Sequence, residues 1–233
     1  MKGFDLAPLL TNPEYLGLLG HGIAMTFIIA LGSWLLAMSL GVLLLALRLT
    51  GFRIAEAVVA AYISYHRNVP TLVQLMLWYF GIASLLPDGL QGWLSDHQGE
   101  SVFAILALGL CQAAYFSEDL RSGLRAISPG QTEAARALGH GYIGTMRFIL
   151  IPQALRNSLP ALINHTVSLF KNSSLAMAIG VAELTHAVKE IENQSFRTFE
   201  IFLIATVLYL LFSLLLMGTG AMLDRRTRLA GAR

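Results

Sequence analysis

The sequence predicts an all-α integral membrane protein with five transmembrane helices and a short helix between the third and fourth. Three observations lead there. Asp, Glu, Lys and Arg are absent from 15–47, 68–87, 101–117, 172–182 and 201–223. Only 13% of the 233 residues are charged and 55% are hydrophobic, about half the charge density of a soluble domain. The arginines gather in alternate connections, as loops on one side of a bilayer do.

Crossing the hydrocarbon takes about 20 apolar residues, so some windows suffice alone and others borrow from a neighbouring segment. The predicted spans run from about Gly20 to Leu47, Ile54 to Leu86, Ser101 to Leu124, Phe148 to Val181 and Phe199 to Leu223. Together they form one domain, 1–233, with a loop at about 125–147. The first span is too long for a signal-peptide core and lacks a basic leader, so it reads as a retained helix.

Charge sets the expected orientation. Arg48, Arg53, Arg121, Arg125, Arg136, Arg147, Arg156, Arg225, Arg226, Arg228 and Arg233 fall on one side, against Lys2, Lys189 and Arg197 on the other. The positive-inside rule then puts the amino terminus outside and the carboxyl terminus in the cytoplasm. Topology accounts for the small basic excess, and no nucleic-acid partner is implied. Cys111 is the single cysteine, inside the third span, and the six histidines show no ligand spacing. Neither a disulfide nor a metal is expected.

The second span carries Ser64, Arg67, Asn68, Thr71, Gln74 and Trp78 at spacings of three and four, one face of a helix. The fourth carries Asn164, Ser168, Lys171 and Asn172, flanked by Ser173 and Ser174. A polar stripe inside a membrane faces protein or water. Arg67 lies fourteen positions beyond Arg53 and Lys171 fifteen beyond Arg156, about 21 and 22 Å at the helical rise, which puts the cations at similar depth. Pro70 removes a backbone donor and disturbs the carbonyl of His66, leaving polar backbone near Arg67. Two readings stand for each cation: a permanent structural pair, or a site for a passing anion. Glu118 reads as a local partner of Arg121 or Arg125. Glu190, Glu192 and Arg197 read as a solvated outer loop.

In the loop at 125–147, Ser128 is placed to cap a helix, Pro129 suits its first turn and Gln131 is placed to close a capping box. Ala134, Ala135 and Ala137 favour the helix, Gly139 with Gly141 ends it, and Glu133 and Arg136 lie one turn apart. By itself this is a connector helix between two spans. The spacing of Glu133, Ala134, Ala135, Gly139, Ile149 and Pro152, however, resembles the cytoplasmic signature of permease subunits of ABC importers. Ile151 stands where that signature usually has Leu.

Three blocks extend the resemblance: HRNVPTLVQLMLWYFG, SEDLRSGLRAISPGQTEAARALG and PQALRNSLPALINHTVSLFKNSSLAMAIGVAEL. They look like the polar amino-acid permeases of ABC uptake systems, and the first block with KNSS in place of the commoner KDTS looks most like the glutamate/aspartate type. The resemblance implies the type I importer permease fold, with Glu133, Ala134, Ala135, Arg136, Gly139 and Pro152 in the element that couples to an ATPase. It implies a second permease (a paralogue or a second copy), an ATPase dimer and a periplasmic solute-binding protein as partners. It places the protein in a bacterial inner membrane. No G-x-x-x-x-G-K-[ST] loop occurs, so ATP and Mg are expected on the partner, and no enzymatic activity on this chain.

Arg67, Asn68, Thr71, Gln74, Asn164, Ser168, Lys171, Asn172, Ser173 and Ser174 become the expected substrate pathway. Asn172, where the family commonly has Asp, leaves Lys171 uncompensated and favours an anionic cargo, with neutral or basic amino acids as the alternative. An ion-coupled secondary transporter is the rival reading. It usually shows inverted repeats, and none is visible here.

Overall fold

The structure, a computed structural model, describes residues 4–227, and all regular elements among them are helical. Lys2, Arg228 and Arg233, which enter the charge asymmetry, lie outside the described residues. A short helix α1 (Ala7–Thr11) precedes α2 (Pro13–Leu49), whose first turn is set by Pro13 and by Asn12, which accepts from the Glu14 amide at 2.9 Å. At 37 residues α2 is about 55 Å long, well beyond the bilayer's hydrocarbon, so it starts before the expected Gly20.

The second expected span is not one helix. Here α3 (Arg53–Asn68) and α4 (Thr71–Met76, continued by a widened stretch Leu77–Ile82 and a 3₁₀ turn Ala83–Leu85) meet at an angle of 107°. Pro70 has no amide to donate, and Val69 before it is extended at φ −99°, ψ 131°, as a residue preceding proline is driven to be. The polar stripe read across this segment is therefore divided between two helices that point differently.

A short α5 (Asp88–Asp96) leads into α6 (Gly99–Arg125), the post of the bundle. In its most apolar stretch 67% of residues are buried, against 28% for α2 and 17% for the last helix, so α6 is surrounded by protein while the other two face outward. Small residues make this possible. A β-carbon on Gly123 would lie 2.4 Å from the Ala154 carbonyl oxygen, and one on Gly109 would lie 2.7 Å from Leu36.

Past α7 (Pro129–Ala137) and a single turn α8 (Tyr142–Thr145), a widened stretch Met146–Leu150 runs into α9 (Ile151–Asn172). The expected fourth span thus ends as helix at Asn172 and continues as a tighter 3₁₀ segment, Ser173–Ile179, closed by Gly180 at φ +91°. Helices α10 (Leu184–Ser195) and α11 (Thr198–Thr227) complete the chain. Helix α10 occupies the segment expected to be outer loop.

Among the described residues three helices, α2, α6 and α11, are long and apolar enough to cross a membrane, or four spans if the bent α3–α4 pair counts as one. The polar stripe of α9 keeps it outside that measure.

Glu183 organises the end of the bundle at which α2 and α11 begin. Fully buried, it accepts from the amides of Thr185 and His186 at 2.9 and 3.0 Å, capping α10, and from the Tyr209 hydroxyl of α11 at 2.9 Å. Thr26 of α2 accepts from the Leu184 amide at 3.1 Å, which pins a third helix to the same point. Burial pushes the Glu183 carboxyl up from its ordinary value, with these hydrogen bonds pulling against it. Nearby, Arg197 pairs with Glu200 at 3.3 Å and donates to the Asp5 carbonyl at 3.0 Å, while Glu192 pairs with Lys189. Glu192 and Arg197 are thus engaged within the chain, unlike the solvated loop expected of them.

Candidate functional site

The site is built where α4, α6 and α9 converge. Thr71, Ser168 and Asn172, all read from the two stripes, line one cavity of about 240 Å³ with Cys111, Gln112, Tyr115 and His165. Arg67 and Asn68 line an adjoining recess of about 300 Å³ with Arg48, Ser64 and Glu118. Tyr115 joins the two: it borders the cavity, and the Arg67 guanidinium carbon sits 5.5 Å from its ring centroid.

Arg67 makes no ion pair among the described residues, so the permanent acidic partner weighed for it is absent. Its neighbour Arg48 does have one. Arg48 of α2 bonds Glu118, which also lies 3.5 Å from Arg121, and Arg125 takes no part. The carboxylate expected to serve a purely local pair therefore ties α2 to α6. Asn68 bonds back to the Ser64 carbonyl at 2.7 Å.

Gln74 departs from its expected role. It is fully buried, its Nε2 donates to the Val69 carbonyl at 2.7 Å and the His66 carbonyl at 3.1 Å, and its Oε1 meets His66 Nδ1. Backbone acceptors left open by Pro70 are filled by this amide, with the Cys111 thiol also reaching the His66 carbonyl at 3.7 Å, and are not free near Arg67. Ser173 is also fully buried and donates to the Phe170 carbonyl at 2.7 Å, and Ser174 donates to the Lys171 carbonyl at 2.7 Å. Both hydroxyls are occupied by the 3₁₀ turn. Lys171 and Asn164 are exposed on α9 and line neither cavity.

The reading of single stripes missed what α6 contributes. Gln112, Tyr115 and Asp119 recur at three and four, the same signal used for α3 and α9. Gln112 is 5% exposed and its Nε2 has no partner among the described residues, a donor held ready at the cavity wall. Asp119 Oδ2 lies 2.6 Å from His165 Nδ1. A carboxylate oxygen accepts, so Nδ1–H donates and Nε2 is left for other partners.

On the loop, Ser128 occupies the cap position and Pro129 the first turn, but the Ser128 side chain makes no cap hydrogen bond. The expected capping box does not form, because the Gln131 side chain instead accepts from Gln153 Nε2 at 3.3 Å, which ties α7 to α9 beside Pro152. Nor do Glu133 and Arg136 pair. The far end is tightly defined. His140 N–H reaches the Ala135 carbonyl and Gly139 N–H the Arg136 carbonyl, both at 3.0 Å, with Gly139 at φ +86°. Ala135 is buried, while Glu133, Ala134 and Arg136 face out, and Leu138, Tyr142, Ile143 and Phe148 are each 65% exposed or more. Such an apolar patch around a short stiff helix has the form of a docking surface.

Several membrane-length helices around an inner polar cavity, with a rigid docking element on the connecting loop, define a membrane transport subunit. The chain belongs to the family described as binding-protein-dependent transport system inner membrane component, which its residues 37–229 match. It is 29% identical over 224 residues to the glutamate/aspartate import permease protein GltJ of Escherichia coli K12, covering 94% of this chain and 91% of the relative. It is 33% identical over 209 residues to the arginine transport system permease protein ArtQ of Bacillus subtilis, covering 89% and 91%. A crystal structure of an amino acid ABC transporter with histidines superposes with a TM-score of 0.84 at 29% identity, covering 96% of this chain and 99% of that one. The fold is that of the type I ABC importer permeases, as the signature's resemblance implied.

Proposed function

We propose that the chain is the permease subunit of an ATP-driven ABC importer that carries polar amino acids, glutamate or aspartate foremost, into the cytoplasm. The cavity carries this reading. None of the residues lining it has a carboxylate, and it presents the Gln112 amide, the Tyr115 hydroxyl, Ser168, Asn172 and the imidazole of His165, with the Arg67 cation one ring away. These groups suit an acceptor-rich anion, and the Asp119 carboxylate behind the His165 ring is already engaged by Nδ1–H. Relatives named for arginine, and for glutamine as a probable substrate, are as similar as the glutamate/aspartate one, so basic or neutral cargo is the second reading.

In this reading the chain crosses the inner membrane five times, amino terminus outside and carboxyl terminus inside, the broken α3–α4 pair and α9 lining the path. A second permease, a paralogue or another copy, completes it. The outer end receives the solute-binding protein. A partner ATPase dimer binds ATP and Mg and moves α7 through Glu133, Ala134, Ala135 and Arg136, with Gly139 holding its end and Pro152 starting the helix it drives. Reconstitution with the ATPase and binding protein tests it: the amino acid that raises ATP hydrolysis and drives uptake with internal ATP identifies the cargo. Uptake driven by an ion gradient without ATP would overturn the reading in favour of a secondary transporter.

A further inference from the structure

Two apolar cavities meet on another face of α9 from the site, with Leu169 bordering both the site and the nearer of them. Each is about 310 Å³, they share Trp34, Thr166 and Leu216, and α2, α9 and α11 wall them. Thr166 Oγ1 accepts from Trp34 Nε1 at 3.0 Å and donates to the Leu162 carbonyl at 2.7 Å, so the groove's central polar atoms are already satisfied. What remains asks only for hydrocarbon.

The groove has a length and two unlike ends. It follows α2 from Phe27 to Met38, eleven helical steps or about 16 Å, close to half the bilayer's hydrocarbon of about 30 Å. Phe27, Phe170 and Phe212 close one end, with ring centroids 5.1 to 6.2 Å apart. At the other, α11 is drawn against α9 at Gly220, where a β-carbon would lie 2.6 Å from Ile163, and Leu159 and Leu223 form the mouth. Arg156 and Arg226 stand three residues beyond these leucines, both exposed and in no ion pair among the described residues. Since α9 and α11 pack antiparallel there, the two guanidinium groups belong to the same end. An apolar slot one leaflet deep with cations at its mouth matches one chemistry.

We propose that this groove holds an acyl chain of an anionic phospholipid of the cytoplasmic leaflet, its headgroup phosphate on Arg156 and Arg226. Arginine is the side chain suited to a bidentate grip on phosphate. Bound there, the lipid braces α11 against α2, the two helices that face outward most. The choice of leaflet, though not the lipid itself, rests on the proposed orientation of the chain.

The test uses the whole importer, purified with its co-expressed partner subunits, stripped by detergent exchange and exposed to phosphatidylglycerol or to phosphatidylethanolamine. Native mass spectrometry should count about one tightly held phosphatidylglycerol per permease, with phosphatidylethanolamine retained far less. Arg156→Gln and Arg226→Gln should each weaken phosphatidylglycerol retention roughly five-fold, the worth of one basic residue at an anionic surface. Ala30→Phe, which fills the groove, should remove both lipids. Equal retention of the two lipids with no response to the arginine variants would overturn the proposal. So would efficient disulfide formation between Leu216→Cys copies, which would show the groove covered by a second chain. Labelling of Arg226→Cys by an impermeant thiol reagent on intact cells would overturn the orientation alone, and lipid retention would still decide the binding of the lipid.

Discussion

Asp119 Oδ2 sits 2.6 Å from His165 Nδ1, so α6 dictates which ring nitrogen α9 turns toward the cavity between α4, α6 and α9. In the proposed pathway Asp119 is a positioning residue that reaches cargo only through this orientation. Asp119→Asn keeps the shape and permits the flipped or reversed hydrogen bond, so the ring loses its fixed tautomer. Transport should lose roughly ten-fold in apparent affinity, the scale of one charge-assisted hydrogen bond, while assembly is retained. His165→Gln should show the same loss without any further effect of Asp119→Asn. Additive losses in the double variant would separate the two residues and remove the positioning role.

Gly139 sustains a backbone at φ +86° that closes α7 with both of its terminal hydrogen bonds. Nothing lies within 4 Å of a β-carbon there, so the cost of a side chain is conformational, on the order of 1–2 kcal/mol, and its bulk points into the docking surface. Gly139→Leu should insert and assemble but lose ATP-coupled uptake. Gly139→Asn, which tolerates this backbone, should keep most of it. Normal coupling in the leucine variant would dismiss α7 as the ATPase contact.

Gln74 braces the bend by donating to the Val69 and His66 carbonyls. Gln74→Leu strands the Val69 carbonyl, about 1–3 kcal/mol, and leaves the His66 carbonyl only the weak Cys111 thiol donor at 3.7 Å, so thermal stability and yield should fall together. Gln74→Glu restores an acceptor but not the donor and should not rescue. A variant that keeps full stability and changes only substrate affinity would return Gln74 to the pathway.

Much of the bundle was legible in the sequence because apolar length and loop charge follow from bilayer physics. The bend at Pro70 was half legible. Proline announced lost backbone bonding, but that Gln74 repairs it is a tertiary fact that no spacing reveals. Gln112, Tyr115 and Asp119 stand at helical spacing in α6, yet two of the three are neutral and give a weaker signal against an apolar background than a cation does. His165 lies between Asn164 and Ser168, and nothing in its spacing announces the Asp119 partner. Residues with hydroxyls, such as Ser173, look alike in sequence whether they face a path or close a turn.

Glu183 supplies a pH dependence with a definite sign. Its carboxyl is raised above the ordinary 4.5 by burial, so between that value and the folded one the folded protein holds a proton that the unfolded chain releases. Stability should therefore decline as pH rises through that window and level off above it. Glu183→Gln should flatten the decline in thermal melts of the complex as pH rises from 4.5. A wild-type stability that instead rises with pH through this window, with the rise lost in Glu183→Gln, would reverse the assignment.

Arg67, Lys171 and Asn172 carry the question of cargo charge. Arg67 lies over Tyr115 with no acidic partner, and a planar guanidinium stacks there as an ammonium does not. Arg67→Lys should weaken uptake several-fold although the charge is kept, and Arg67→Met should abolish it in complexes that still assemble. Lys171, exposed and outside both cavities, should matter less, so Lys171→Met is expected to retain measurable transport. Asn172 does line the cavity, and Asn172→Asp puts a carboxylate where the cargo's own would pass. Competition uptake should then shift away from glutamate toward glutamine by roughly ten-fold, as about 1.4 kcal/mol of repulsion implies, the energy of like charges about 12 Å apart at an effective dielectric of about 20. Unchanged ratios in Asn172→Asp together with wild-type rates in Arg67→Met would place selectivity in the binding protein and leave this cavity without a role in it.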